Sequence, residues 1–247
     1  VPVYYCHTAV LGSGSASLAA ATRLRRSGIE DLCIITDMLE GGTSRNTGSD
    51  KQTYYKLSDG NAEPDSPYDM ARAIYDGGAV HGDIALTEAI GSTNGFYYLL
   101  GLGVPFPHNR WGGFTGYKTD HDPGVRGTSL GPYTSKIMVE HLEQECRLLD
   151  IPIFDRHDCI RLIRMGDRIA GAVFLNKSHL DRELWGIEVL LCENLVFGLG
   201  GPGNLYLRSV YPTLQSGGIG LALEAGIEAV NLTESQFGLA SVTFRWN

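Results

Sequence analysis

The feature that most constrains the fold of this chain is a glycine-rich turn near its start. An apolar run, 3–11, leads into Gly12-Ser13-Gly14-Ser15-Ala16-Ser17. An alanine-rich amphipathic segment, 18–27, and a second apolar run, 32–37, follow. This order predicts a strand, a tight turn, a helix and a second strand, which is the βαβ unit that binds dinucleotides.

Each position of the turn has a predicted role. Gly12 permits the sharp turn, and Gly14 lets the backbone approach a pyrophosphate. The amides of Ser15, Ala16 and Ser17 open the helix and direct their partial positive charge toward an anion. Ser17 stands where the usual pattern has a third glycine, and it is small enough to lie close to the strand.

The end of the second strand is predicted to bind a ribose. In such units an acidic residue about 20 positions beyond the motif accepts hydrogen bonds from the ribose. Asp37 has this position relative to Ser17. If the strand ends one residue earlier, Thr36 faces the ribose instead, so the sequence leaves both residues as candidates.

Composition excludes several classes of protein. The 247 residues are 43% hydrophobic and 19% charged, which is typical of a soluble globular protein with a substantial core. A net charge of −8 without a basic stripe argues against a nucleic-acid partner. No apolar run approaches the roughly 20 residues of a membrane span.

The five cysteines are scattered through apolar segments without a C-x-x-C pair. This distribution predicts buried free thiols in a reducing, cytoplasmic compartment and no disulfide framework or zinc site. Asp120-His121-Asp122 is the other arrangement that suggests a metal. Adjacent residues of an extended chain point in opposite directions, so we expect no metal there either.

A polar loop with several glycines, 40–50, follows the second strand. Ligands bind at this end of open α/β sheets, so its amides and hydroxyls are predicted to hold phosphate and an aromatic ring system. A merely flexible loop is the alternative interpretation. Periodicity and capping residues predict helices further along the chain, at 66–76, from near 83 to 100, and at 133–148.

Short β-rich runs follow the third of these helices. They predict a small antiparallel sheet over about 151–192, with Gly166-Asp167 as a hairpin turn. A buried strand ending at Gly200-Gly201, a helix over about 214–225 and a strand near 227–232 complete the chain. The predicted class is α/β: a Rossmann-like parallel sheet flanked by helices, with an additional small antiparallel sheet.

These segments together resemble the flavoprotein subunits of the fumarate reductase, succinate dehydrogenase and L-aspartate oxidase superfamily. They occur in the family's order across nearly the whole length. The matching segments are 12–21, Gly41-Gly42-Thr43-Ser44, the helix after 126–129, the hairpin 161–176, 195–201 with 204–206, and 216–226.

The resemblance implies bound FAD. It assigns the pyrophosphate to 12–16, the ribose to Asp37 or Thr36, the adenine to the backbone near Cys159, and the flavin side to the loop after the second strand. The cofactor-binding residues expected in this way are Gly12, Ser13, Gly14, Ser15, Ala16, Thr36, Asp37, Gly41, Gly42, Thr43, Ser44, Thr47, Gly48, Ser49, Cys159, Gly200 and Gly201.

Two departures from the family narrow what we expect of the FAD attachment and of the substrate. Respiratory members attach FAD covalently through a histidine in the Gly-Gly-Thr-Ser loop, and this loop has none, so we expect non-covalent FAD. Dicarboxylate-handling members follow a glutamine and an aromatic residue with a substrate-binding histidine. Here Gly238 follows Gln236-Phe237, which argues against fumarate or succinate.

The expected organisation is one FAD-binding domain over 1–247, with a helical and loop insertion at about 51–150 and the small sheet at about 151–192. In the family, a capping domain that carries a proton-donating arginine begins about where this chain ends, at Asn247. We therefore expect the capping or substrate domain to be absent and the chain to be part of a longer enzyme.

The predicted function is that of an FAD-dependent oxidoreductase, or of its FAD-binding portion. It would transfer a hydride between a small organic substrate and the flavin, with an electron donor or acceptor as a further partner. Arg126 and His121 are the nearest candidates for contacting substrate, and no catalytic residue is assigned. The alternatives are a flavin-binding module without catalysis and an NAD-dependent dehydrogenase, although no Tyr-x-x-x-Lys pair supports the latter.

Overall fold

A computed structural model describes residues 1–47, 52–59, 64–78, 80–119, 122–201, 211, 212, 215 and 217–232. Gly48, Ser49 and His121 lie outside these residues, as do 204–206 and 236–238. The described chain forms two compact units: the first contains 1–47 and 142–228, and the second contains 52–141 and 229–232.

The strands are β1 (Val3–Leu11), β2 (Leu32–Ile35), β3 (Tyr54–Tyr55), β4 (Gly127–Thr128), β5 (Ile153–Phe154), β6 (His157–Met165), β7 (Arg168–Asn176) and β8 (Ile187–Phe197). The helices are α1 (Ser15–Arg26), α2 (Thr43–Asn46), α3 (Pro67–Tyr75), α4 (Gly82–Gly101), α5 (Thr134–Leu148) and α6 (Ile219–Glu224), with a 3₁₀ turn at Glu183–Gly186. The predicted βαβ unit and the helices that become α3, α4 and α5 are thus confirmed to within a residue or two.

The first unit is built on a six-stranded sheet in the order β5-β2-β1-β8-β7-β6. Strands β5, β2, β1 and β8 run parallel, whereas β7 is antiparallel to both β8 and β6. A second, separate sheet pairs β3 with β4 antiparallel. The predicted α/β class with an additional small antiparallel sheet is confirmed.

The antiparallel strands are distributed differently from the expectation. The hairpin β6-β7 continues the large sheet, and the small separate sheet is formed by β3 and β4. Sequence periodicity also divided 185–197 into two runs. The structure has one strand, β8, whose residues 187–191 pair with β7 and whose residues 189–197 pair with β1.

Both faces of the large sheet are covered. Helix α1 packs on β1 and β2, and the end of α5 packs on α1, where the Cys146 thiol lies 3.9 Å from the Leu18 carbonyl oxygen. Helix α6 packs on the opposite face through Leu221. The buried core on that face consists of Ala9, Leu11, Cys33, Ile35, Leu162, Ala172, Phe174, Leu190 and Cys192.

The second unit is organised around the pair α3 and α4. Helix α3 begins where the sequence predicts, because the Ser66 hydroxyl accepts a hydrogen bond from the Asp69 amide and Pro67 occupies the first turn. Met70 and Ala71 of α3 pack on α4. The Phe96 ring of α4 lies 4.8 Å from the Phe106 ring, centroid to centroid, and anchors an aromatic cluster.

The strand predicted near 227–232 is wrong. Residues 227–232 are exposed and form no strand. The chain instead closes α6: Gly226 has φ +81° and donates to the Leu223 carbonyl, while the Ile227 amide donates to Ala222. This is the Schellman pattern of a helix end, and the apolar run after it has no neighbouring strand to pair with in the described residues.

No helix in the described ranges is both long enough and apolar enough to cross a membrane.

Gly171 provides a test of the sheet. Its φ is +155°, and a Cβ built there would lie 2.1 Å from the Leu190 carbonyl oxygen of the neighbouring strand. We expect Gly171→Ala to lower the free energy of unfolding by about 3 kcal/mol or more, because the clash is with backbone. Gly220→Ala is the control: its Cβ meets nothing within 4 Å, so this helix substitution should be neutral or stabilise by up to about 1 kcal/mol. Urea denaturation measures both, and a neutral Gly171→Ala would contradict the described pairing of β7 with β8.

Candidate cofactor site

One cavity of about 270 Å³ in the first unit gathers most of the predicted cofactor residues. It lies where β1, β2 and β8 end, and parallel strands place ligand-binding residues at these carboxyl ends. The predicted residues that line it are Gly12, Ser13, Gly14, Ser15, Ala16, Thr36, Asp37, Gly41, Gly42, Thr43, Ser44, Cys159, Gly200 and Gly201. Thr47 is not among the lining residues, and its hydroxyl donates to the Thr43 carbonyl.

The turn after β1 depends on close approach of the backbone. Gly12 has φ +93°, and a Cβ there would lie 2.7 Å from the Gly198 carbonyl oxygen. The Ser17 hydroxyl lies 2.9 Å from the carbonyl oxygen of Leu11 and 3.3 Å from that of Gly198. A Cβ on Gly198 would lie 1.8 Å from the Ser17 hydroxyl oxygen, so the end of β8 requires glycine there.

The N-terminus of α1 opens toward the cavity. Its N-cap residue is Gly14, which has no side chain to satisfy the first amides. The Ser15 amide donates to the Ser44 hydroxyl at 3.2 Å, and both residues line the cavity. No lysine or arginine is present among the described lining residues, so positive potential at this end comes from the helix amides.

The two ribose candidates differ in their surroundings. The Thr36 side chain is buried, and its hydroxyl lies 3.0 Å from the Ser13 hydroxyl. Ser13 has one hydroxyl proton, and the carbonyl oxygens of Met38 and Leu39 lie 3.2 and 3.1 Å away to accept it. The Ser13 and Thr36 hydroxyls therefore link the Gly12–Gly14 turn to the end of β2.

Asp37 is more accessible, with a side chain 33% exposed. Its carboxylate lies 2.5 Å from the Lys177 ammonium, and Lys177 also lies 3.4 Å from Asp158. Asp37, Asp158 and Cys159 all line the cavity, and we call this part the acidic end. Burial lowers the pKa of Lys177, but the two carboxylates outweigh it and raise the pKa overall.

Thr43, another residue that lines the cavity, carries an unsatisfied polar atom. Its hydroxyl oxygen is buried and has no hydrogen-bond partner among the described residues. Thr43 is the first residue of α2, and the N-cap residue Gly42 has φ +79°. A buried hydroxyl without a partner is uncommon in proteins, and a ligand in the cavity would supply one.

The Glu188 carboxylate forms hydrogen bonds that support the cavity wall at the acidic end. Glu188 is buried, and its oxygens lie 2.9 Å from the Asn176 amide nitrogen, 3.2 Å from His179 Nδ1 and 3.3 Å from His157 Nε2. Burial raises the pKa of Glu188, but these hydrogen bonds outweigh it and lower the pKa. Burial raises the pKa of the Cys159 thiol to about 12, so Cys159 is a neutral wall residue at pH 7.

The end of β8 is covered by Gln215. Its side-chain amide lies 3.3 Å from the Gly201 carbonyl oxygen, and a Cβ on Gly200 would lie 1.7 Å from the Gln215 side-chain nitrogen. The Gly218 amide also donates to the Gly200 carbonyl. A side chain at Gly200 would therefore displace the amide end of Gln215 from the end of β8.

Arg126 does not have the exposed position of a surface arginine. It is 3% exposed in the second unit, and its guanidinium forms ion pairs with Asp65 at 2.6 Å and with Asp122 at 2.9 Å. Burial raises the pKa of Asp65, but Arg126 and the amides of Ser58 and Ser66 outweigh it and lower the pKa. The structure thus engages Arg126 within the protein, and His121, the other candidate, lies outside the described residues.

A family model described as "FAD binding domain" matches residues 7–247 of this chain. The chain belongs to the FAD binding domain family. The predicted superfamily and FAD as the cofactor of the family are confirmed. No curated protein matches the sequence.

Solved structures share the fold at low identity. The chain superposes on E. coli quinol fumarate reductase FrdA with a TM-score of 0.74 and 18% identity, covering 91% of this chain and 37% of that one. The superposition on Mycobacterium smegmatis Sdh1 has a TM-score of 0.76 and 20% identity, and it covers 91% of this chain and 39% of that one. The superposition on adenylylsulfate reductase from Archaeoglobus fulgidus has a TM-score of 0.65 and 15% identity, and it covers 91% of this chain and 37% of that one. The FAD binding domain thus spans less than two fifths of these neighbours.

Sequence reasoning missed Asp158, Lys177 and Gln215. The position of Asp158 beside Cys159 was a usable signal, since the neighbour of an expected wall residue is a candidate too. Nothing in the sequence brings Lys177 to Asp37, because 139 intervening residues separate them. Gln215 falls at the start of the helix predicted over about 214–225, but the structure begins α6 only at Ile219, so the predicted helix gave no orientation for the Gln215 side chain.

Ser17 offers a test of the turn. We expect Ser17→Ala to lower the free energy of unfolding by about 1 kcal/mol, because it removes a buried hydroxyl that donates to the end of β1. Leu11 retains the Gly198 amide as a donor at 3.1 Å, so its carbonyl is not left unpaired. Ser27→Ala is the matched control, since that hydroxyl is exposed and donates within α1, and its cost should stay below about 0.5 kcal/mol. Equal costs for the two variants in urea denaturation would contradict a structural role of Ser17.

Arg126 yields a second test. Arg126→Leu leaves two buried carboxylates without their cation, so we expect a loss of about 3–5 kcal/mol, seen as faster hydrogen exchange in α3 and β4. Arg110→Leu, at an exposed arginine over the Trp111 ring, is the control and should change exchange little. Because the folded pKa of Asp65 is below its unfolded value, the wild-type contribution is present above that unfolded value. It should fade below about pH 4. Unchanged exchange in Arg126→Leu would contradict the buried cluster.

Proposed function

We propose that this chain is the FAD-binding part of an FAD-dependent oxidoreductase that transfers a hydride between a small organic substrate and the flavin. The observation that carries the proposal is the cavity at the ends of β1, β2 and β8. It combines the amide-rich start of α1 with the unpartnered Thr43 hydroxyl, in a chain of the FAD binding domain family.

The cavity fits the cofactor by its chemistry. The amide at Ala16 is a donor for the diphosphate, and the Ser15 amide is a second one when it exchanges the Ser44 hydroxyl for a phosphate oxygen, in a wall without lysine or arginine among the described residues. Asp37 is the proposed acceptor for the ribose hydroxyls, because its carboxylate is accessible at the cavity whereas Thr36 is buried. The backbone near Cys159 is assigned to the adenine, and Gly200 with Gly201 to the adenosine side. Gly41–Ser44, with Thr47, Gly48 and Ser49, are assigned to the flavin side.

Attachment is proposed to be non-covalent. Residues 40–50 contain no histidine and no cysteine with which a covalent bond to the flavin could form there. Acid precipitation of the flavin-loaded protein should release all of the yellow colour into the supernatant. Flavin that stays with the pellet would contradict this part of the proposal.

The flavin supplies the hydride chemistry, and the residues described here bind and orient it. Two of the structural neighbours named as reductases are E. coli quinol fumarate reductase FrdA and adenylylsulfate reductase. These names support an oxidoreductase and differ in the substrate that they state. No substrate is assigned to this chain, and its second partner is proposed as an electron donor or acceptor.

The sharpest test of the proposed site is Thr43→Val. The side chains have the same shape, and the Thr43 hydroxyl has no partner among the described residues. We therefore expect the cofactor-free protein to be as stable as wild type or slightly more so. Its FAD dissociation constant should rise about 3- to 10-fold, the effect of one lost hydrogen bond. Quenching of flavin fluorescence gives the constant, and thermal unfolding gives the stability.

Thr22→Val is the matched control. The Thr22 hydroxyl is buried in α1 and donates to the Leu18 carbonyl at 2.9 Å, away from the cavity-lining residues. This variant should lose a little stability and keep wild-type FAD affinity. Wild-type protein that binds no FAD would reject the proposed function, whereas unaltered binding by Thr43→Val would reject only the role of that hydroxyl.

A further inference from the structure

We propose that Lys177 is a positioning residue for the adenosine half of the cofactor, acting through the two carboxylates at the acidic end of the cavity. It would fix the Asp37 carboxylate for the ribose and offset the charge of Asp158. The inference rests on the proposed function, and it concerns a residue that does not itself line the cavity.

The contacts of the ammonium group carry the first step. Lys177 Nζ lies 2.5 Å from Asp37 Oδ1 and 3.4 Å from Asp158 Oδ2. The two carboxylates come from different strands, since Asp37 follows β2 and Asp158 lies in β6. One cation therefore links two separate walls of the acidic end, and a linked carboxylate loses less rotational freedom when a ligand binds.

The backbone of Lys177 is fixed from both sides. Its amide donates to the Arg156 carbonyl at 2.8 Å, and the Arg156 guanidinium donates back to the Lys177 carbonyl at 3.3 Å. The preceding residue, Asn176, is buried and hydrogen-bonded to Glu188. The lysine side chain thus extends from a rigid base, which is what a positioning role requires.

Electrostatics gives the second step. A diphosphate at the start of α1 would share the cavity with Asp37 and Asp158, and like charges within about 8 Å of one another are only partly screened at physiological salt. Lys177 is the cation that contacts both acids. Without it, the carboxylates would repel the anionic ligand, and Asp37 would lose the ammonium group that orients it.

The test compares FAD with ADP, which contains the adenosine and the diphosphate without the flavin. We expect Lys177→Met to weaken binding of both ligands by the same factor, about 5- to 20-fold at low salt. Lys177→Arg should keep both within about threefold of wild type. Lys136→Met removes a half-exposed lysine 4.0 Å from Glu140 and should change neither constant.

A double variant separates charge from folding. Lys177→Met with Asp158→Asn removes the cation together with one carboxylate, and we expect it to recover most of the lost affinity for ADP. Competition with fluorescent FAD measures each constant, and thermal unfolding without ligand shows whether the variants are folded. A folded wild type that binds no FAD would overturn the proposed function itself.

With FAD binding established for the wild type, three results would overturn the role of Lys177 alone. These are wild-type affinity in Lys177→Met, a loss for FAD without a loss for ADP, and no recovery in the double variant.

Discussion

The first unit depends on the close approach of three backbone segments at Gly12, Ser17 and Gly198. The Leu11 carbonyl accepts from both the Ser17 hydroxyl and the Gly198 amide, so the ends of β1 and β8 and the first turn of α1 meet at one oxygen. Side chains at Gly12 or Gly198 would separate them. This contact places both glycine-rich edges on the same cavity.

The cavity is lined by groups of both signs, on different elements. Partial positive charge comes from the amides at the start of α1, and full negative charge comes from Asp37 and Asp158. Helix amides are fixed by the backbone and cost little entropy when an anion binds. Carboxylates rotate, and here Lys177 restrains them. A dinucleotide carries its anionic diphosphate beside neutral ribose hydroxyls, so this division of charge suits such a ligand.

Local pattern was enough for the βαβ unit, because its turn, helix and strands follow each other within 37 residues and each shows its own period. Pattern failed where the outcome depends on distant partners. The run 227–232 has the composition of a strand but no neighbour in the described residues to pair with. Strand β8 read as two runs because it changes partners along its length, pairing with β7 only in its first half.

Local sequence pattern also fails to predict the environment of a charged residue whose partners are distant in the chain. Arg126 was a reasonable candidate for binding a substrate anion, since most arginines are accessible. Its environment is set by Asp65, 61 positions away, and by Asp122, and together they enclose the guanidinium. To bind a substrate carboxylate, Arg126 would have to leave two buried acids unpaired, at a cost of several kcal/mol. The described position of Arg126 is therefore that of a partner for two acids within the second unit.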